Sequence, residues 1–317
     1  MIKPDPTLSS MHFVTMMYTS CGIIILSLMY YIIRKQHGQI KYPIKNITDD
    51  ILFKQPDSSH TGVCPICLIP LATDGSDYSL SACCSQCICD GCGYANQKRE
   101  FEARLDPKCP FCRHPVPTSQ TEGKNVFWKR LIDRVKMDDP VTIGEIGSDY
   151  FNARDYRSAF KYWKMATDLG NVQAHYQLST MYQLGLGVKK SRKMEIYHLE
   201  RAAIAGHAPA RFNLGSIERE NGNTERAVKH FIIAATQGDN KSLVKLMVLY
   251  EIGVVTDDDF AATIRAHRGA VDATKSPDRN MAAIHKRKQT IDLGASRSLY
   301  RKEVDTNNLF YNGRAIA

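Results

Sequence analysis

Nine of the ten cysteines in this 317-residue chain lie between Cys64 and Cys112. Three Cys-x-x-Cys pairs (Cys64/Cys67, Cys89/Cys92 and Cys109/Cys112) accompany three further thiols, Cys83, Cys84 and Cys87. Packing does not produce such a window, because structural cysteines scatter through a core as small hydrophobes. A zinc ion takes four soft ligands in a tetrahedron, and a two-residue gap lets one tight turn offer two thiolates to the same ion. A disulfide framework suits a small secreted domain in an oxidising compartment. A redox Cys-x-x-Cys is normally a single pair at a helix start. Neither accounts for three pairs, so the window predicts two zinc ions per chain.

Fifteen residues separate Cys67 from Cys83, and sixteen separate Cys92 from Cys109. This order of thiols resembles a RING finger in its all-cysteine form. The resemblance implies a small zinc-stabilised α+β domain over residues 63–117, with the first and third ligand pairs on one ion and the second and fourth on the other. Cys64, Cys67, Cys89 and Cys92 then form one site, and Cys109 and Cys112 complete the second with two of the middle thiols. A standard RING places a histidine where this chain has Gln86, and the shifted all-cysteine arrangement uses Cys84 instead. Its partner is Cys83 or Cys87; Cys83 is preferred because Cys87 sits only two residues from Cys89 and would crowd the crossing. His60 and His114, just outside the motif, are read as solvated surface imidazoles.

A zinc site is structural by itself, and function has to come from its neighbours. RING ubiquitin ligases hold a ubiquitin-charged conjugating enzyme in a reactive pose, a positioning effect. The resemblance assigns that contact to Ile66 between the first two ligands, Pro110 after the seventh, and Arg113 after the eighth. Arg113 matches the basic residue whose planar donor fork bridges conjugating enzyme and ubiquitin. The helical stretch from Gly93 to Arg104 lacks the tryptophan many active RINGs carry, leaving Tyr94 and Phe101 as its aromatic candidates.

Ahead of the cysteines, residues 13–33 are uncharged and rich in Ile, Leu, Met and Tyr. At 1.5 Å per residue this run spans roughly 31 Å, close to the hydrocarbon thickness of a bilayer. It is expected to be an uncleaved transmembrane helix rather than a signal peptide, which would want a basic start and a shorter apolar run. Arg34, Lys35, Lys41 and Lys45 follow it, so the basic-side rule leaves residues 1–12 as a short outer stub and places the rest in the cytosol. There thiols stay reduced and the two Asn-x-Ser/Thr sequons, at Asn46 and Asn240, go unused. Residues 34–62, punctuated by Pro43 and Pro56, read as a linker.

Downstream the chain repeats. Trp163, Leu199 and Phe231 each precede by three residues Ala166, Ala202 and Ala234. Gly170, Gly206 and Gly238 follow four residues later, then Ala174, Ala210 and Ser242, then Leu178, Leu214 and Leu246. Spacings of three and four put these residues on one helical face. Each glycine is read as the left-handed residue that ends the first helix of a pair. The pattern resembles the Sel-one-like repeat, a relative of the tetratricopeptide repeat, and implies an all-α solenoid over residues 149–273, capped by a helix from Asp257 to Ala273. Such solenoids recognise a protein partner, here a substrate or adaptor. An amphipathic stretch from Thr121 to Val135, within residues 118–148, is expected to bridge finger and repeats.

The net charge of +9 and pI near 9.0 raise the question of nucleic acid. The basic residues are dispersed, however, without an aromatic-basic surface motif, which argues against that partner. An anionic leaflet explains the excess as well. Lys189, Lys190, Arg192 and Lys193 read as a solvated loop, and residues 274–317 as a mostly disordered basic tail. RING followed by Sel-one-like repeats resembles a family of ubiquitin ligases and, joined to the apolar run at 13–33, implies a single-pass, membrane-anchored ubiquitin ligase whose repeats select the substrate. The alternative is a non-catalytic zinc-containing scaffold at a membrane.

Overall fold

The computed structural model describes residues 47–73, 75–116 and 120–288. The apolar run at 13–33, the sequon at Asn46 and the last part of the tail lie outside these residues. Among the described residues, no helix is long and apolar enough to cross a membrane.

Helix α1 (Asp49–Leu52) is followed by a two-stranded antiparallel hairpin, β1 (Tyr78–Ser81) and β2 (Gln86–Cys89), in the register Tyr78 opposite Cys89 and Leu80 opposite Cys87. Helix α2 (Asp90–Glu102) starts at once, with the Cys89 sulfur accepting the Cys92 N–H as its cap. Helix α3 (Gln120–Lys136) leads to α4 (Pro140–Asn152), α5 (Tyr156–Asp168), α6 (Val172–Leu184), α7 (Arg192–Ile204), α8 (Ala208–Glu220), α9 (Thr224–Thr236), α10 (Asn240–Glu251) and α11 (Asp257–Ala273). A last helix, α12, occupies residues 277–288.

From α4 onward the starts are written locally. Asp139, Asp155, Asn171, Ser191, His207, Asp239 and Thr256 each accept a backbone N–H of the first turn they precede. Pro140 and Pro209 lie within the first two helical positions, where a missing N–H costs nothing. The repeat columns form the core: the large residues 163, 199 and 231, the alanines 166, 202 and 234, and the positions 174/210/242 and 178/214/246 are all at most 3% exposed. A further column was not apparent from the sequence. Gly147 and Gly215 lie against the rings of Trp163 and Phe231, which any Cβ would strike. Trp163 also donates its indole N–H to the Gly144 carbonyl at 3.0 Å.

The structure corrects four readings. The close-packed pairs are α4/α5, α6/α7 and α8/α9, so Gly170, Gly206 and Gly238 end the second helix of each pair and turn the chain into the next. Column spacing cannot settle this phase, because helices within and between pairs are nearly equally far apart in sequence. Second, the array starts at Pro140 rather than 149, since Ile143 shares a core with Trp163 and Ala166.

Third, the described part of the linker, residues 47–62, is a strap packed on the repeats. Leu52 is 3% exposed among Leu199, Ala202, Ala203, Ala210 and Leu214. The fully buried Arg211 guanidinium donates to the carbonyls of Leu52 and Lys54, and Asp49 pairs with Arg226. Gly206 has φ +85, and a side chain there would collide with the Ser58 carbonyl of the strap. Fourth, residues 277–288, within the tail read as mostly disordered, are helical and lie on the finger, with Ala282 and Arg279 buried.

Candidate metal centre

Two tight turns of matching design carry the outer cysteine pairs. In the first, Cys64 N–H donates to Ile69 O at 3.0 Å and Leu68 N–H to Cys64 O at 2.8 Å. In the second, Cys109 N–H donates to His114 O at 2.8 Å and Arg113 N–H to Cys109 O at 3.0 Å. Leu68 and Arg113 occupy equivalent places and share the left-handed backbone, with φ 58 and 60. Single β-bridges, Val63 to Pro70 and Lys108 to Pro115, close the two turns. Between them, β2 and the first turn of α2 supply Cys89 and Cys92, and the turn joining β1 to β2 supplies Cys83 and Cys84.

The chain crosses itself to bring the thiols together. Cys64, Cys67, Cys89 and Cys92 form one cluster, and Cys83, Cys84, Cys109 and Cys112 the other; within each, all four sulfurs lie within 4.8 Å of one another. A tetrahedral thiolate site with metal–sulfur bonds of about 2.3 Å has sulfur–sulfur edges of about 3.8 Å. The separations are 3.8 Å for Cys67 to Cys89, 3.9 Å for Cys84 to Cys109 and 3.3 Å for Cys83 to Cys112, and no disulfide joins any of them. Donor chemistry and spacing thus fit a soft, four-coordinate divalent ion in each cluster. Burial opposes ionisation of Cys64 and Cys109. Backbone N–H groups (of Cys67, Cys89 and Ile66 for one, Cys112 and Phe111 for the other), with neighbouring side-chain donors, bring these two down to about 7 and about 6, whereas burial pushes Cys84 up to about 11 and raises Cys83, Cys89 and Cys92.

Cys87 belongs to neither cluster. It sits in β2 opposite Leu80 and faces a cavity of about 1000 Å³ between the hairpin and helices α4, α6 and α8, lined also by Glu145, Tyr176 and Phe212. Burial, then the Glu145 carboxylate, push its thiol up. Ser85 meets Thr142 at 2.8 Å beside this cavity, and Arg134 reaches the Cys83 carbonyl at 3.5 Å, so finger and solenoid share a contact.

The residues assigned to partner contact sit on the two turns. Ile66 is 41% exposed and Pro110 half-buried. Arg113 is exposed but engaged: it donates to Asn96 Oδ1 at 3.0 Å and pairs with Glu100 at 3.2 Å. Glu100 is itself buried and accepts from Asn96 and the Lys108 N–H. Of the aromatic candidates, Phe101 is 84% exposed, whereas Tyr94 packs at a tilt against His285 of α12. His114 is exposed. His60, read as solvated, is instead packed against the His207 ring at 4.1 Å, and burial lowers it to about 4.

Sequence reasoning missed Arg279. It lies in α12, 212 residues from Cys67, and directs its guanidinium onto the first turn. No spacing rule marks it, because its partners are two carbonyls and a sulfur on a remote loop.

A helical-repeat solenoid closed by a cysteine-rich finger is the class that fold and site define. The Sel1 repeat model matches residues 153–171, 172–207 and 208–239, so this part of the chain consists of Sel1 repeats; the last two coincide with α6/α7 and α8/α9. No family model of a RING or other zinc finger matches. Chitin synthase regulatory factor 2 of Schizosaccharomyces pombe is 29% identical over 108 residues, 31% of this chain and 20% of that protein. Chitin synthase regulatory factor 4 of the same organism is 30% identical over 94 residues, 29% of this chain and 15% of that protein. DAP3-binding cell death enhancer 1 of Mus musculus is 25% identical over 179 residues, 44% of this chain and 35% of that protein. The chain therefore spans about a third or less of these relatives. A Sel1 repeat protein from Oxalobacter formigenes is similar in structure, with TM-score 0.41 and 23% identity over 46% of this chain and 64% of that one.

Proposed function

We propose that this chain is a protein-interaction scaffold whose Sel1 repeats hold a protein partner and whose finger binds two zinc ions and acts as a RING-type ubiquitin ligase module. The observation that carries this is the crossed clustering of eight thiols, first pair with third and second with fourth, at tetrahedral spacing. Zinc, when bound, supplies structural cross-links that fix the two turns. The chain's own contribution is positional. Ile66 and Pro110 offer apolar contact to a conjugating enzyme, and Arg113 offers a cationic fork to hold ubiquitin's thioester in a reactive pose. The repeats select the protein to be modified, and residues 13–33 anchor the assembly to a membrane with both modules in the cytosol. The relatives' names, chitin synthase regulatory factor and DAP3-binding cell death enhancer, accord with an adaptor role for the repeats.

The second reading, a non-catalytic zinc-containing scaffold, is favoured by one specific contact: Arg113 is already paired within the finger, to Glu100 and Asn96. Autoubiquitination with a panel of conjugating enzymes separates the two. The ligase reading expects transfer by the wild type and its loss in Arg113→Ala. Equal signals from both proteins would remove it in favour of the scaffold.

A further inference from the structure

Helix α12 lies on one of the two thiol clusters, with a buried cation at the contact. Arg279 is 8% exposed. Its Nη1 donates to Pro70 O at 2.6 Å and Thr274 O at 2.7 Å; its Nη2 donates to Ile69 O at 3.1 Å and lies 3.7 Å from Cys67 Sγ. The backbone of α12 approaches α2 so closely that a Cβ on Gly91 would stand 2.7 Å from the Arg279 nitrogen. Farther along the helix, the His285 ring packs at a tilt against Tyr94 with centroids 5.2 Å apart, and Lys286 pairs with Asp90, next to the ligand Cys89. Arg113, beside the second cluster, is held instead by Glu100 and Asn96.

Four thiolates around a divalent ion keep a net negative charge, and a buried guanidinium with a hydrogen bond to one sulfur offsets it. Without thiolates the same guanidinium faces only carbonyls and is costly to bury. Helix docking and metal loading therefore favour each other, and by thermodynamic linkage each strengthens the other by the same factor. We infer that Arg279 is a positioning residue of the Cys64/Cys67/Cys89/Cys92 site, and that α12 is a latch whose closure is coupled to metal loading at that site. This rests on the two-ion reading above.

The test is zinc competition against a chromophoric chelator on the full chain, resolving the two affinities. Arg279→Gln is expected to weaken one site about 10- to 100-fold, as loss of a ligand's hydrogen-bond partner does, and to leave the other unchanged. Arg279→Lys should recover part of the loss. Lys286→Glu, which removes the tie to Asp90, should weaken the same site to a lesser degree, and hydrogen exchange at 277–288 should quicken when one ion is withdrawn. Two affinities equal to wild type in Arg279→Gln, or equal weakening of both sites, would overturn the latch alone. A wild-type chain that holds no zinc would overturn the two-ion reading and the latch with it.

Discussion

Arg113 and Glu100 form an ion pair of 3.2 Å that fastens the second cysteine turn to helix α2. The carboxylate is buried and the guanidinium half-exposed, so the arginine supports the finger whatever else it touches. Removing it leaves Glu100 with one fewer partner, a cost of about 1–3 kcal/mol.

That tie sets a control for the transfer assay. Arg113→Ala and Glu100→Gln should lower the finger's melting temperature to comparable degrees. Only Arg113→Ala should abolish autoubiquitination. Parallel loss of transfer in both variants would assign the arginine a purely structural role.

Metal content should follow the clusters. Elemental analysis of the purified chain is expected to give two zinc ions, unchanged in Cys87→Ser and reduced in Cys84→Ser. Two ions retained after Cys84→Ser would rule out the ligand set.

The strap should contribute to solenoid stability although it lies outside the repeats. Leu52→Ala empties a site walled by Leu199, Ala203 and Leu214 and should cost about 2–5 kcal/mol in urea unfolding. A change below the error of extrapolation would mean that the strap is dispensable. Gly215→Ala should cost about 1–3 kcal/mol by overpacking against Phe231.

Acid should weaken the repeats. His175 and His198 face each other, Nδ1 to Nδ1 at 2.9 Å, and burial lowers them to about 4 and about 3; His230, fully buried, is lowered to about 3 by the same cause. In the unfolded chain these imidazoles titrate near 6.5. Between about pH 6.5 and 4 the unfolded chain therefore binds more protons, and stability falls as pH falls. The melting temperature should be level above pH 7 and drop across that window. His230→Leu should shallow the drop relative to wild type, and because neither ring nitrogen has a hydrogen-bond partner it should also raise the plateau. Parallel slopes for variant and wild type would contradict this.

The sequence by itself determined the features whose signals are local and periodic. Thiols with two residues between them mark tight turns because one turn presents both to the same point. Columns of large, small and leucine residues mark a helical face because the helix repeats every 3.6 residues. Only the tertiary structure brings the Cys83 and Cys84 sulfurs beside those of Cys109 and Cys112, pairs the helices across Gly170 and Gly206, and turns Cys87 toward the repeats. It alone showed Arg211 gripping the strap and Arg279 gripping the finger, 159 and 210 residues from carbonyls they meet. Those contacts run from a guanidinium to backbone carbonyls that every residue possesses, so no residue type at the far end records them.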